Sequence, residues 1–359
     1  TNSRALVLLA LAFLASQTKP NHTLVPASVA NYLRHMRKVA ARIVFCAVFN
    51  GATWVFQILR GFTTPVHFFF RAGMGHPVLT LCTPTLRLDP VLSGAILEGR
   101  GFSFAASSWL LFYHLGVAEC LVDSFGYDAL SLAGFAGASC GSLIAALLAC
   151  RVPPAALREF AFSMIDFSAS RWAGPAGAMT KIVAEGLRRL LPEDAVRGTT
   201  CGRCLVSISR LDQGLLPRAW YVSEYRDRED LISALLASCY IPVYYEQSCV
   251  HRGICCVDGG LTDPLPLLPE DRETITVSPF QRAATISPLL SSPPFPWRHA
   301  IYLSCREDGE RLRVSGYNDC HRWVTHEASR LRGYERELHG AENKEHVLGG
   351  ESREESSIG

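Results

Sequence analysis

The sequence predicts an α/β fold in which helices cover both faces of a central sheet, and two observations support this prediction. Short apolar segments typical of strands alternate with segments of helical periodicity between residues 99 and 288. Within residues 132–150, an apolar run, the pentapeptide Gly137-Ala138-Ser139-Cys140-Gly141 and a helix-period segment follow one another directly. This order is typical of a nucleophile elbow, a tight strand–turn–helix unit that presents one hydroxyl at the mouth of a sheet.

Composition divides the 359-residue chain into three regions. Residues 1–98 are largely apolar, residues 99–332 form the predicted α/β domain, and residues 333–359 are polar and Glu-rich, which predicts a disordered tail. The net charge of +2 and the absence of a basic stripe give no basis for nucleic-acid binding. The mean hydropathy of +0.15 is high for a soluble protein, and its N-terminal excess favours action at a lipid surface.

The N-terminal region contains two apolar segments and a proline-rich stretch. Residues 5–16 have the length of a signal-peptide core, so a signal segment and a membrane-associated helix both fit. Residues 43–59 carry polar interruptions and basic flanks, which favours an interfacial helix over a marginal membrane span or a buried globular helix. Residues 61–99 contain four prolines that would break any long element, which predicts a linker.

Periodicity and propensity place the elements of the α/β domain in order. Strands are predicted where apolar residues alternate or run together between turn signals, at residues 101–105, 132–136, 204–209, 219–224, 255–257 and 274–277. Helices are predicted where apolar residues share one face, at residues 108–122, 142–150, 154–167, 180–191 and 230–238. Residues 301–323 are expected to hold one strand and one helix.

The thirteen cysteines are scattered through predicted core segments. Because a free cysteine packs as a small hydrophobe, we expect most of them to be reduced core residues rather than a disulfide framework. Cys201 and Cys204 have zinc-knuckle spacing, but no second C-x-x-C follows, and Cys255-Cys256 cannot supply that geometry. The sequence therefore predicts neither a metal site nor a cofactor.

Ser139 is the candidate nucleophile of the predicted elbow. Gly137 and Gly141 leave room where the strand and the helix cross, and the helix N-terminus directs backbone N–H groups at an anion that forms beside Ser139. The alternative is a buried turn of small residues that carries no chemistry. A serine hydroxyl also needs a base within hydrogen-bond reach, so a second residue decides between these interpretations.

Asp258 is the better candidate for that base than any histidine. His114 falls inside a predicted helix, and His251 falls in a predicted loop. Asp258 ends an apolar strand, and Gly259 and Gly260 then allow the backbone to turn tightly beside the elbow. The alternative is a turn aspartate that caps its own backbone.

In their order and combination, these segments resemble the patatin-like phospholipase family, most closely its adiponutrin and adipose triglyceride lipase branch. The resemblance covers about residues 99–288 and rests on residues 103–105, 113–116, 134–143, 229–232, 240–244, 257–263 and 276–280. It implies a three-layer αβα sandwich with a central mixed sheet, and it implies Ser139 as nucleophile and Asp258 as base. The activity that it implies is hydrolysis of lipid carboxyl esters through an acyl-serine, without a histidine.

One part of the family pattern is missing. The family carries a G-x-G-x-x-G loop whose backbone N–H groups form the oxyanion hole, and the matching positions here include Ala106, Ser107, Ser108 and Leu111, with no glycine among residues 106–111. Any non-proline residue keeps its N–H, but side chains restrict the backbone conformations that the loop can adopt. The sequence alone therefore leaves three functions open: a hydrolase of glycerolipid esters, an acyltransferase, and a catalytically inactive lipid-binding protein.

The expected partner is a lipid substrate at a membrane or lipid-droplet surface. The apolar N-terminal region and the implied substrate together favour membrane association, at a lipid droplet or the endoplasmic reticulum and on the cytoplasmic side. Neutral glycerides and phospholipids are not separated by the sequence.

Overall fold

The computed structural model of the chain describes residues 86–354 apart from 172–173, 197–202, 213–215, 243, 281–283, 290–294, 296–297, 302 and 304. It describes only the backbone of residues 298, 301 and 334–354. The apolar segments predicted at residues 5–16 and 43–59 lie outside the described residues. Within the described part of the chain, no helix combines the length and the apolar character that crossing a membrane requires.

A seven-stranded mixed sheet forms the centre of the fold. Its strands run in the order β5-β6-β3-β2-β1-β7, and β4 also pairs with β3. Strands β7, β1, β2 and β3 are parallel, whereas β4 and β6 are antiparallel to β3, and β5 is antiparallel to β6. The strands are β1 (Arg100–Phe104), β2 (Gly134–Ala138), β3 (Cys204–Arg210), β4 (Arg218–Val222), β5 (Cys249–His251), β6 (Ile254–Val257) and β7 (Glu273–Val277).

Helices pack on this sheet and on one another, so the described residues form the predicted α/β sandwich. Helix α3 packs on β1, β2 and β3, while α6 packs on β3, β5 and β6. The helices are α1 (Pro90–Leu97), α2 (Leu111–Leu130), α3 (Cys140–Ala149), α4 (Pro154–Ala169), α5 (Met179–Leu190), α6 (Arg228–Cys239), α7 (Arg298–Ile301) and α8 (Arg306–Glu354). Two 3₁₀ turns, Ser108–Leu110 and Gly259–Leu261, follow β1 and β6.

The short strand β6 determines where the candidate base emerges. Besides β5, it pairs with the C-terminal end of β3, with Val257 opposite Ser209. The chain after β6 therefore continues antiparallel along β3, and Gly259 comes so close that a Cβ on it would lie 2.0 Å from the Ser207 carbonyl oxygen. Since Ser207 pairs with Ala138 at the end of β2, this path leads to the residue that follows β2.

The predicted linker at residues 61–99 is wrong over Pro90–Leu97, which forms α1. Proline is tolerated in the first turn of a helix because its missing N–H has no helical partner there. Asp89 caps the helix, since its Oδ1 accepts a 2.9 Å hydrogen bond from the Leu92 N–H. Ile96 and Leu97 are buried, and α1 packs on α2, so the folded domain begins before residue 99.

The helix predicted at residues 108–122 begins later and ends later than expected. The 3₁₀ turn Ser108–Leu110 precedes it, and α2 then runs to Leu130 with a kink at Gly126, whose φ of 72° and ψ of 163° are not helical. Gly126 adopts this conformation without the steric penalty that a Cβ would bring. Hydrophobic periodicity predicted the buried first turns of α2 but not its last turns, whose residues are partly exposed and so do not repeat an apolar pattern.

The C-terminal predictions are also corrected. No strand forms among the described residues of 301–323, and α8 continues through residues 333–354, where composition predicts a disordered tail. Glutamate, arginine and lysine are strong helix formers, so a polar composition does not separate disorder from a solvated helix. The last residues of the predicted tail, 355–359, lie outside the described part of the chain.

Helix α8 packs closely on α2 at two glycines. A Cβ on Gly116 would lie 1.8 Å from the Arg313 carbonyl oxygen, and a Cβ on Gly316 would lie 2.0 Å from the Tyr113 carbonyl oxygen. The Tyr113 hydroxyl also donates a 2.8 Å hydrogen bond to Asp319 Oδ2. These contacts join the C-terminal helix to the helix that follows the loop at residues 106–111.

Candidate active site

Ser139 occupies a strained turn between β2 and α3. Its φ of 54° and ψ of −132° lie in a region that non-glycine residues rarely adopt, which typically costs about 1–3 kcal/mol. Its N–H donates a 2.8 Å hydrogen bond to Ser238 Oγ, and the Ser238 hydroxyl donates a 2.7 Å hydrogen bond to the Ser207 carbonyl oxygen. The turn is thereby attached to β3 through one buried side chain.

The two glycines of the pentapeptide are required by contacts between backbones. A Cβ on Gly137 would lie 2.4 Å from the carbonyl carbon of Gly141. A Cβ on Gly141 would lie 2.2 Å from the Phe104 carbonyl oxygen and 2.7 Å from that of Ala105. Strand β1, strand β2 and helix α3 therefore meet at the turn without room for a side chain.

Asp258 contacts Ser139 directly. The Ser139 hydroxyl donates a 2.6 Å hydrogen bond to Asp258 Oδ2, and the Gly260 N–H donates a 2.8 Å hydrogen bond to Asp258 Oδ1. The Asp258 backbone is fixed as well, because its N–H donates to the Tyr240 carbonyl and its carbonyl accepts from Ser209 Oγ. Each carboxylate oxygen has one donor, and the donor on Oδ2 is the candidate nucleophile.

The surroundings of Asp258 favour a proton acceptor that works near neutral pH. Burial of the carboxyl group raises the pKa of Asp258 to about 7, although the hydrogen bonds from Ser139 and Gly260 each lower it. Burial disfavours the charged form because water no longer solvates it, and these two donors stabilise that form. A general base is most effective when its pKa lies near the working pH.

Gly259 and Gly260 allow the base to approach both neighbours. Gly259 lies against β3, as described above. A Cβ on Gly260 would lie 2.6 Å from Ala106 Cβ and 2.9 Å from Asp258 Oδ1. The turn after Asp258 therefore contacts the first residue of the loop at residues 106–111.

One residue of that glycine-free loop has a left-handed backbone conformation. Ser108, at the position of the family's second glycine, has a φ of 49°. Two hydrogen bonds stabilise the loop: the Ala106 N–H donates to the Pro264 carbonyl at 2.7 Å, and the Leu110 N–H donates to the Ser107 carbonyl at 3.0 Å. Side chains therefore do not prevent the left-handed conformation here, although a non-glycine residue in it costs about 1–2 kcal/mol.

Some backbone N–H groups near Ser139 already donate to another residue, so they are not available to bind an oxyanion. The Ser139 N–H is bonded to Ser238, and the Ala106 N–H is bonded to Pro264. The N–H groups of Ser107 and Ser108 make no hydrogen bond to a described residue. Leu111 begins α2, and its N–H bonds to the Ser108 carbonyl oxygen. Ser107 and Ser108 are thus the candidate donors of this loop.

Neither candidate histidine lies in hydrogen-bond contact with the pair. His114 lies in α2, where its Nε2 is 2.9 Å from the Ala105 carbonyl oxygen. His251 lies in β5 rather than in a loop, where its Nδ1 is 3.0 Å from Ser233 Oγ. Burial lowers the pKa of each to about 4, so both rings are neutral at pH 7.

The sequence did not indicate that Ser238 holds the turn at Ser139 in place. Ser238 was predicted only as the last residue of a helix, yet its hydroxyl connects the Ser139 backbone to Ser207. The serine stands two residues before the Tyr240-Ile241-Pro242 segment and carries no local pattern that distinguishes it from a solvent-facing helix residue. Only the folded chain brings it to the elbow.

The described residues provide no cluster of three or more His, Cys, Asp or Glu side chains suited to a metal ion. All described cysteines are free thiols, and several, such as Cys120, Cys204 and Cys239, are buried in the core. Cys201 of the C-x-x-C pair lies outside the described residues.

Comparison with known proteins places this arrangement in a family. The sequence profile described as patatin-like phospholipase matches residues 96–271. Human patatin-like phospholipase domain-containing protein 4 is 36% identical over 193 residues, which are 52% of this chain and 74% of that protein. Mouse 1-acylglycerol-3-phosphate O-acyltransferase Pnpla3 is 32% identical over 197 residues, 54% of this chain and 46% of its own. Human omega-hydroxyceramide transacylase is 34% identical over 208 residues, 56% of this chain and 37% of its own.

The chain thus spans less than half the length of the mouse acyltransferase and of the human transacylase. It covers about three quarters of human patatin-like phospholipase domain-containing protein 4 (74%). The residues that match the family profile, 96–271, include Ser139, Asp258 and the loop between β1 and α2. On this identity and coverage, the chain belongs to the patatin-like phospholipase family.

Proposed function

We propose that the chain hydrolyses carboxyl esters of glycerolipids, with Ser139 as nucleophile and Asp258 as general base. The observation that carries the proposal is the 2.6 Å hydrogen bond from Ser139 Oγ to Asp258 Oδ2, made at a strained turn between a strand and a helix. A hydroxyl and a base at this distance meet the geometric requirement for nucleophilic catalysis.

The reaction follows from these contacts. Asp258 accepts the Ser139 proton as Oγ bonds to the carbonyl carbon of the ester, and the carbonyl oxygen becomes an oxyanion beside the N–H groups of Ser107 and Ser108. Collapse breaks the bond to the alcohol, which leaves with the proton from Asp258, and the acyl group stays on Ser139. Water then gives a proton to Asp258 and attacks the acyl-serine, which releases the fatty acid and returns the proton to Ser139.

A fluorophosphonate probe tests this proposal most directly, because it reacts with serines that a base has activated. We expect it to label the purified chain at Ser139 and to label Ser139→Ala not at all. A folded wild-type chain that the probe does not label, and that hydrolyses no ester, would instead support the catalytically inactive lipid-binding function.

The rate of ester hydrolysis should rise with pH through a midpoint near 7. The base must be a carboxylate, and the pKa of Asp258 is raised to about 7, so each pH unit below 7 should lower kcat/KM about tenfold. His114 and His251 do not explain such a midpoint, because burial lowers the pKa of each to about 4. The measurement is kcat/KM for a soluble ester between pH 5 and about 9. A profile that is flat across this range would contradict Asp258 as the base.

Acyl transfer is a second candidate function, which the printed names of two relatives favour. The mouse relative is named an acyltransferase and the human relative a transacylase. In this reaction a lipid hydroxyl replaces water in the second step, and the roles of Ser139 and Asp258 are unchanged. Adding a lysophospholipid or a monoacylglycerol as acceptor separates the two, because a transferase forms new ester faster than free fatty acid.

We further propose that the chain works at a lipid surface, at a membrane or lipid droplet on the cytoplasmic side. The apolar and basic composition of residues 43–59 and their flanks supports this location. Deleting residues 1–61 should release the protein from liposomes in a flotation assay, while hydrolysis of a soluble ester should persist. If the shortened chain still floats with liposomes, the lipid-binding surface lies on the α/β domain instead.

A further inference from the structure

The carbonyl group of Ala105 lies between the nucleophile turn and the loop at residues 106–111. A Cβ on Gly141 would lie only 2.7 Å from this carbonyl oxygen, so the elbow packs directly against it. The Ala105 N–H donates a 2.9 Å hydrogen bond to the Val277 carbonyl of β7, and the next residue begins the loop. The orientation of this one peptide therefore affects how the loop leaves β1 relative to Ser139.

His114 bonds to that carbonyl from the first turns of α2. Its Nε2 lies 2.9 Å from the Ala105 carbonyl oxygen. Since a carbonyl oxygen only accepts, Nε2 carries the proton, and the neutral ring has the Nε2–H tautomer. The ring is fully buried and packs edge-on against Phe104, with 5.5 Å between ring centroids. The donor is thereby held in one orientation.

Structural packing alone does not require a histidine at this position. The second ring nitrogen, Nδ1, is buried and has no hydrogen-bond partner among the described residues. A buried polar atom without a partner is unfavourable, so an apolar side chain of similar size would fill the space with less loss. What the histidine adds over such a side chain is the single N–H donated to Ala105.

We infer that His114 is a positioning residue, whose Nε2–H holds the Ala105 peptide so that the glycine-free loop presents the N–H groups of Ser107 and Ser108 beside Ser139. This inference rests on the proposed hydrolase function and extends it. In a loop with the family's three glycines, the backbone can adopt conformations in which its N–H groups reach the oxyanion, because glycine has no Cβ to restrict them. Here side chains occupy those positions, and the bond from His114 fixes the start of the loop.

The test compares two substitutions at His114 with one at a matched residue. His114→Phe keeps a ring but removes the donor, and His114→Gln places an amide N–H near the position of Nε2. His251→Phe is the control, because His251 is also buried and neutral and donates to no group of the proposed site. Each variant is measured for kcat and KM on a soluble ester, for the pH midpoint, for melting temperature, and for hydrogen exchange at the Ala106 and Leu110 amides.

We expect His114→Phe to lower kcat about 10²–10³-fold, the loss typical of one misplaced oxyanion donor, with KM and the pH midpoint nearly unchanged. His114→Gln should recover most of that loss, and exchange at the Ala106 and Leu110 amides should quicken only in the Phe variant. His251→Phe should lower the melting temperature without lowering kcat.

Two results would overturn the inference. One is a His114→Phe protein whose kcat per folded molecule and loop exchange both match the wild type; the other is a Gln variant as impaired as the Phe variant. If the wild-type chain itself hydrolyses no ester, the proposed function fails, and the exchange comparison still decides whether His114 orders the loop.

Discussion

Ser139→Ala and Asp258→Asn are each expected to lower kcat for ester hydrolysis by about 10⁴-fold or more, because each removes one member of a pair that acts as a unit. Ser139→Ala removes the oxygen that carries the acyl group in the proposed reaction. Asp258→Asn keeps the shape of the side chain but removes the proton acceptor that the Ser139 hydroxyl contacts at 2.6 Å. The measurements are burst and steady-state kinetics with a chromogenic ester.

The double variant separates a functional pair from two independent residues. If Ser139 and Asp258 act together, the double variant should be no slower than either single variant, since effects within such a unit are not additive. His251→Ala is the matched control, because it lies seven positions before Asp258 and makes no hydrogen bond to it. A protein that loses activity with His251→Ala but keeps it with Asp258→Asn would show that the base has been misassigned.

Ser108→Pro is expected to lower kcat by about 10²–10³-fold or more, because it acts on the proposed oxyanion donor in two ways. Proline has no N–H to donate, and its φ near −65° is incompatible with the 49° that residue 108 adopts. Removing one oxyanion donor alone has an effect of this size. The measurement is the rate of acyl-enzyme formation, with a thermal melt to establish that the variant is folded.

Two further substitutions at Ser108 identify which property of the residue matters. Ser108→Ala removes only the hydroxyl and should keep the rate within a few-fold of the wild type. Ser108→Gly has two opposing effects on stability. It removes the penalty of about 1–2 kcal/mol for a non-glycine residue in the left-handed conformation. It also gives the unfolded chain more conformational entropy, which lowers stability by about 0.5–1 kcal/mol. The Gly variant should therefore melt at the same temperature or slightly higher, with an unchanged or faster acylation. Equal activity of the Pro and Ala variants would exclude the Ser108 N–H as a donor.

The N-terminal and C-terminal boundaries show where composition fails as a guide. Pro90 suggested a break in structure, but proline is compatible with the first turn of a helix, and α1 begins there. The Glu-rich C-terminus suggested disorder, but it continues a helix whose earlier turns pack on α2. In both cases local composition predicted the wrong backbone conformation, and at the N-terminal boundary the linker prediction also missed that Ile96 and Leu97 are buried in the core.

The sequence by itself determined the α/β class and the elbow, because these depend on local properties: apolar alternation, helical periodicity and glycines at fixed spacing. It also selected Ser139 and Asp258 as candidates through their glycine contexts, and their catalytic roles stay predictions for the variants above to test.

Tertiary structure alone decided the environment of that pair. The approach of Asp258 to Ser139 and the support from Ser238 join residues about a hundred or more positions apart in the chain. The burial that raises the Asp258 pKa and the bond from His114 to Ala105, nine positions away, also depend on how the elements pack. Such contacts leave no periodic trace in the sequence. They arise because β6 pairs with the end of β3, α3 packs on β1, and His114 of α2 contacts Phe104 and Ala105 at the end of β1. The left-handed backbone of Ser108 is of the same kind, since surrounding contacts impose a conformation that serine does not prefer.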